Sequence, residues 1–301
     1  MSRTKKHHFI SEFLLRGFAD ARHSLRVLPI DGRNPYISAT HDLGHRNNAH
    51  TLSPLPGVSD VLAVEKAMAK LESEVASIVR DIESREGSAV LNEERRLLQH
   101  FIVMHAFRHP TLGKGVQEDM DAELGDVRID PEWLAALTRN VFVESLGYPA
   151  LAFSGDHVSA AEGHRWDVYE TEFKDFEWTV QRFSRPSLVI GDRLVCYSGQ
   201  GPRATRVLSH AAADAGIEGL GTCRRITVPL SPHSGLLLSR RGYVKRLRAE
   251  HFNRTTVRNS RSFIAYAPAW ETSEADLFSS VAADFANQKV AYQRLVSAGL
   301  F

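Results

Sequence analysis

Hydrophobic positions change their spacing several times along this chain. Between residues 10 and 18, Phe13, Leu14 and Phe18 recur at helical intervals, which predicts a short helix with one inward face. Two strand-like runs follow, SLRVLPID and NPYISAT, separated by the turn residues Asp31-Gly32-Arg33-Asn34. The stretch HDLGHRNNAHTLSPLPG is polar and rich in Asn, Gly, Pro and His, so it reads as loop. From Ser59 to about Glu86 the period becomes helical, with Val64, Met68, Leu71, Val75, Ile78 and Ile82 on one stripe and Ser59 or Asp60 as the cap. Asn92 is placed to cap a second long helix through Leu97, Phe101 and Met104, which Pro110 stops. A further helix opens at Asp130-Pro131 and runs to Gly147.

The second half has a different texture. FEWTVQRF, SLVIGDRLVCY, RITVPLS and GLLLSR are strand-length runs rich in β-branched, aliphatic and aromatic residues. A helix from about Tyr243 to Asn259, a strand SFIAYAP and a closing helix over Ala275 to Ala298 complete the pattern. The expected fold is α+β: a helical middle section of long antiparallel helices, about 59–147, packed with a mixed, mainly antiparallel sheet built largely from about 176–270. The early strands join that sheet, making one intertwined domain over 1–301 with a closing helix at about 274–298.

Composition narrows the class. The chain has 301 residues, is 43% hydrophobic and 24% charged, and so can build a sizeable core. A formal net charge of +1 supplies no global field to select nucleic acid or membrane. Cys196 and Cys223 allow at most one disulfide and form no zinc CxxC pair, which favours a reducing compartment. No signal-peptide core and no run of about 18 apolar residues is present, so a cytoplasmic location without membrane partners is expected. There is also no GxGxxG, Walker A loop, GxSxG elbow or Cys–His nucleophile motif, which argues against Rossmann dehydrogenases, NTPases and α/β-hydrolases.

Several polar residues fall at positions with chemical consequences. On the first long helix Glu65 and Glu72 lie two turns apart on one edge of the apolar stripe. On the second, Arg108 falls in the middle of the buried face. A guanidinium there calls for a carboxylate, and Glu65 and Glu72 are the suppliers. Such a group is either a structural Arg–Glu clasp or a set of carboxylates that binds metal or moves protons. His105 and His109 share i,i+4 spacing but no HExxH motif, and read as solvated or capping residues. His41, His45 and His50 read as a polar loop rather than a ligand set. His7 and His8 stand before the first helix; in an extended segment only one of them faces inward, and His8 is the expected one. Asp192 follows Gly191 inside an apolar run, marking a tight turn or a site at a strand end.

Charge is unevenly spread. Between Arg240 and Arg261 there are eight basic residues and the single acid Glu250. Arg241, Lys245 and Arg248 would share one face of the expected helix, with Asn253 beside them, and that face is a possible contact for phosphates or nucleic acid.

Taken in order, these segments resemble the DUF4238 family over nearly the whole chain. The opening His7-His8-Phe9-Ile10-Ser11-Glu12-Phe13-Leu14-Leu15-Arg16-Gly17-Phe18 is similar to the family's HHYVPxFYLRxF. The resemblance continues through Glu65 to Glu72, Arg108-His109-Pro110, Asp192, Pro229-Leu230-Ser231-Pro232, and Phe252-Asn253 to Ala265-Tyr266. The chain departs from the pattern at Ser11, where proline is usual, and at Leu194, where an Asp-x-Pro is common. This resemblance implies a fold lineage and supplies no reaction.

Two functional expectations follow. In the first, a metal-dependent phosphodiesterase or nuclease-like hydrolase, Glu72 and Asp192 hold a divalent Mg, Mn or Zn ion. His8 is ligand or general base, Glu65 belongs to the catalytic set, and Arg108 stabilises phosphoryl charge. In the second, the same polar set is an internal clasp of a sensor or partner-binding protein, of the kind found in bacterial defence or stress systems.

Overall fold

The computed structural model describes residues 6–30, 33–51, 62–87, 89–109, 173–199, 223–243 and 246–270, with 283, 286, 287 and 290 besides. The segments expected as helices at 130–147 and, almost entirely, 275–298 lie outside these residues.

Strand β1 (Lys6–His8) leads into helix α1 (Glu12–Phe18), then β2 (Ser24–Pro29), β3 (Tyr36–Ala39), a short 3-10 turn (Thr40–Asp42) and β4 (His45–Asn47). Helices α2 (Ala63–Ser84) and α3 (Asn92–Arg108) follow, then β5 (Phe176–Arg182), β6 (Ile190–Gly191), β7 (Cys196–Ser198), β8 (Arg225–Ser231), β9 (Ser234–Arg240), α4 (Ala249–Asn259) and β10 (Phe263–Tyr266). The mixed α+β class is as the pattern predicts.

The described strands form three sheets, with every pairing among them antiparallel. β5-β9-β8-β7 comes wholly from the second half, β3-β2-β10-β6 joins the two halves, and β1-β4 is a two-stranded ribbon. Burial explains the order. β9 is buried at every residue, as befits an interior strand covered on both faces, whereas β2 alternates half-buried and buried residues. SLVIGDRLVCY contributes two short strands to two different sheets, breaking at Asp192. Pro229, which cannot donate to a ladder, sits beside a register shift between Pro229 and Ser231.

One main core cluster spans these parts, with a smaller one of Val189, Val257, Ile264 and Tyr266. Val64, Met68, Leu71, Val75, Val79 and Ile82 of α2 are buried together with Leu98, Phe101, Ile102 and Met104 of α3. α2 and α3 pack on each other, with Arg85 meeting Glu94 near their connection and Arg108 meeting Glu72 from the last residue of α3. α3 begins one residue after its cap, which is Leu91 rather than Asn92; the Leu91 amide donates to the Glu94 carboxylate. α4 lies across β6, β7 and β8 and buries Phe252 and Val257, while α1 packs on β8.

α4 starts at Ala249, not near Tyr243. Arg241 is in the turn after β9, Arg248 is the residue preceding the helix, and Lys245 lies outside the described residues. Arg241 and Arg248 therefore share no helix face. Asn253 is sealed: its Oδ1 accepts from the Val189 amide at 3.0 Å and its Nδ2 donates to the Ser187 carbonyl at 2.7 Å. It ties α4 to the segment entering β6 and offers nothing to a nucleic acid. Cys196 and Cys223 are buried and not joined in a disulfide. Among the described residues no helix is long and apolar enough to cross a membrane.

Candidate metal centre

The site is built around β1. Its three residues pair with β4 in the register Lys6–Asn47, His7–Arg46 and His8–His45. The turn that brings β4 back requires Gly44, at φ +65°, whose carbonyl accepts from the Phe9 amide at 2.7 Å while its α-carbon lies against Ile10. After β4 the chain reverses through Asn48, at φ +55°, a left-handed position that asparagine tolerates better than most residues. That turn, closed by the Thr51 amide on the Asn48 carbonyl at 3.0 Å, carries His50 under β1.

His7 is therefore the inward residue of the opening pair, 1% exposed, and His8 is half-buried. The alternation of a strand allows one inward imidazole, as expected, but the pairing with β4 selects the other one. His50 is completely buried and stacks on His7 with ring centroids 5.3 Å apart. The His50 backbone N–H donates to His7 Nδ1 at 2.9 Å, which leaves the His7 proton on Nε2. Glu65, from the first turn of α2, places Oε2 2.7 Å from His50 Nδ1 and 4.0 Å from His7 Nδ1. One ligand atom from each of His7, His50 and Glu65 falls within 4.8 Å of the others. Around a zinc ion with bonds of about 2.0–2.1 Å, ligand atoms stand about 3.4 Å apart, so a closure of about an ångström completes the set. The Glu65 side chain is 28% exposed, which gives a cation a route from solvent to otherwise buried nitrogens.

His50, expected in a polar loop and not in a ligand set, is instead buried against His7 and Glu65. Its burial depends on the β1–β4 ribbon and on α2, neither of which is adjacent in sequence. His105 and His109 are likewise buried rather than solvated. His105 Nε2 lies 2.8 Å from the Ser11 hydroxyl, and burial, reinforced by Arg108, holds its imidazole well below the ordinary histidine pKa. Ser11 stands at the N-cap of α1, but its side chain is spent on α3 instead of on the helix it precedes.

A second polar group forms where the end of α3 meets α2. Arg108 is 1% exposed at its side chain and forms an ion pair with Glu72, the clasp its helix phase predicts. Glu65 is not part of that clasp; it faces the histidines. The charges of both Arg108 and Glu72 reach His8. Burial is the main reason its imidazole sits below the usual range; Glu12 opposes, Arg108 and His45 reinforce, and Glu72 opposes. Arg108 Nε and His8 Nε2 are both buried without a hydrogen-bond partner among the described residues, a condition that calls for a physical reason.

Asp192 stands in a third environment. Its two oxygens accept the amides of Arg261 at 2.8 Å and Ser262 at 2.7 Å, and Oδ2 lies 3.6 Å from His109 Nε2. The carboxylate is wholly buried and fastens the α4–β10 connection to the end of β6. It meets neither Glu72 nor the His7–His50–Glu65 group, so the expected Glu72–Asp192 ion pairing with a metal is replaced: Glu72 is committed to Arg108, and Asp192 to backbone amides. Sequence reading missed His7 and His50, and the signal that could have found them is the spacing of His50 fifteen residues before Glu65, meaningful only once the intervening loop folds back.

The chain matches the family described as "Protein of unknown function (DUF4238)" across residues 6–270. No curated protein and no solved structure matches it. With nearly its whole length covered, from the β1 histidines to Trp270 just beyond β10, the chain belongs to the DUF4238 family.

Proposed function

We propose that the protein is a divalent-metal-dependent hydrolase of phosphate esters, nuclease-like in its chemistry. The ion would be held by His7, His50 and Glu65, taking at His7 Nδ1 the lone pair that otherwise accepts the His50 amide. The carrying observation is the convergence of these three residues, from β1, the turn after β4 and α2, into a set whose donor types suit a catalytic site. Two imidazoles and a carboxylate leave room in the coordination sphere for water. A bound divalent ion supplies Lewis acidity and a water of lowered pKa.

This chain's own residues would do the rest. The Arg108 guanidinium, held by Glu72, keeps its Nε–H as a donor toward charge that builds on a phosphoryl oxygen. His8, kept neutral by burial, is suited to accept a proton at Nε2. The exposed edge of Glu65 marks the side from which substrate and solvent would approach.

Thermal melting tests this directly. Protein stripped with EDTA should gain several degrees in Tm with one of Zn²⁺, Mn²⁺ or Mg²⁺, by mass action on the folded state. The gain should vanish in both His7→Ala and Glu65→Gln. The activated form should cleave a chromogenic phosphodiester, and Arg108→Met should lower kcat by about 100-fold if it meets the transition state.

A second reading, a non-enzymatic sensor or partner-binding protein, is favoured by the sealing of Arg108 and Asp192 and by the structural partners both possess. Melting that no ion shifts, with no esterase activity, selects it.

A further inference from the structure

A cavity of about 260 Å³ opens between α4 and the β7–β8 pair, built from residues that take no part in the centre around β1. Its helical wall is formed by His251, Arg254 and Arg258, which recur at three- and four-residue steps and so share one face of α4. The opposite face of that helix, with Phe252, Asn253, Thr256 and Val257, is buried against the sheet. The cavity's other side is Arg225 of β8 and its register partner Ser198 of β7. Three guanidiniums and an imidazole thus line one small concavity, and among the described residues no carboxylate does.

Glu250, outside the lining, is shared between Arg254 at 3.3 Å and Arg248 at 3.4 Å. Arg225 is half-buried, and its Nε has no hydrogen-bond partner among the described residues. Guanidinium groups present paired N–H donors in a planar fork, which matches the oxygens of a phosphate better than any neutral ligand. The volume also limits the occupant. Ligand pockets commonly span about 300–1,000 Å³, so this one takes a phosphate group with little attached and not a length of polymer.

We propose that this pocket binds the phosphate group of a small phosphorylated ligand, through Arg225, Arg254 and Arg258. The site stands independently of the metal reading, since none of its residues belongs to that centre. It also relocates the basic surface expected from the sequence. The cationic residues that converge are on the 251–258 face of α4 and on β8, not at Arg241 and Arg248.

Calorimetric titration and melting with inorganic phosphate, pyrophosphate and a nucleoside monophosphate test the proposal, against sodium chloride at matched ionic strength. Saturable binding with a rise in Tm is expected for at least one of the phosphates. It should weaken at least tenfold in Arg258→Gln, whose side chain is exposed and whose folded state circular dichroism checks, and further in Arg225→Gln/Arg258→Gln. His7→Ala, which abolishes the metal response, should leave phosphate binding unchanged. Absence of saturable binding, or binding that survives both arginine variants, overturns the site. A single-stranded oligonucleotide is the remaining arm: tight binding to it with none to the small phosphates overturns the small-ligand assignment in favour of a backbone contact.

Discussion

Burial of imidazole is the recurrent chemical choice of this protein at the scale of single residues. His7, His50, His100, His105 and His109 are all buried, and burial lowers the pKa of His100, His105 and His109. His100 is the clearest case: burial, with the Arg96 charge in support, pushes it from 6.5 to about 4. An unfolded chain takes up that proton near 6.5, the folded one only near 4. Between these values the unfolded state binds more protons, so the stabilisation is complete above about pH 6.5 and is lost as pH falls toward 4. The loss from this residue is at most about 3 kcal/mol. Urea unfolding at pH 7.5 and 4.5 should therefore show His100→Gln losing less stability on acidification than the wild type; equal losses would refute the assignment. Arg108 offers a second residue-scale test. Removing it as Arg108→Ala strands Glu72 and should cost about 3–5 kcal/mol, whereas Arg108→Met with Glu72→Leu should recover most of that, as apolar replacement of a buried pair commonly does.

Secondary-structure elements were the most legible part of the chain. SLRVLPID, FEWTVQRF and SFIAYAP announce strands because each residue's preference agrees with its eventual burial. Arg108 could be placed inward because a helix of known phase fixes direction over many turns. His7 could not be told from His8, since a three-residue strand takes its phase from its partner, and that partner lies nearly forty residues on. Asp192 was legible as a break but not as an anchor, because its partners are amides, which no side-chain pattern advertises. α4 starts later than expected because Tyr243 and Arg246 to Arg248 have a helix-compatible composition but are half-buried or exposed. Packing of α4 yields its own test. A Cβ on Gly235 of β9 would collide with the Phe252 ring, whose Cε2 would stand only 2.8 Å away. Gly235→Ala should destabilise the protein by about 1–3 kcal/mol, and Gly235→Ala/Phe252→Leu should restore part of the loss in thermal melts.

At the scale of the whole molecule, the β1 ribbon and the sheet β3-β2-β10-β6 tie the opening residues to distant ones. Removing residues 1–39 would take away two of that sheet's four strands together with β1, which carries His7 and pairs with β4, and the remaining chain should show no cooperative unfolding transition by circular dichroism. A cooperative melt in such a truncation would mean that the second-half sheet carries stability by itself. The polar group at β1 is also a product of this scale: His7, His50 and Glu65 share no local motif and meet only when strand, turn and helix are all in place.

The position of β10 between β2 and β6 has a consequence for biosynthesis. As the ribosome extends the chain, β2 can find β3 at once, but its other flank stays bare until about 230 more residues have been added. At about 5–20 residues per second that is a wait of tens of seconds. For that interval the nascent hairpin offers open amides and carbonyls to any neighbouring polypeptide, so yield in the cell should depend on chaperone supply more than the finished protein's stability would suggest.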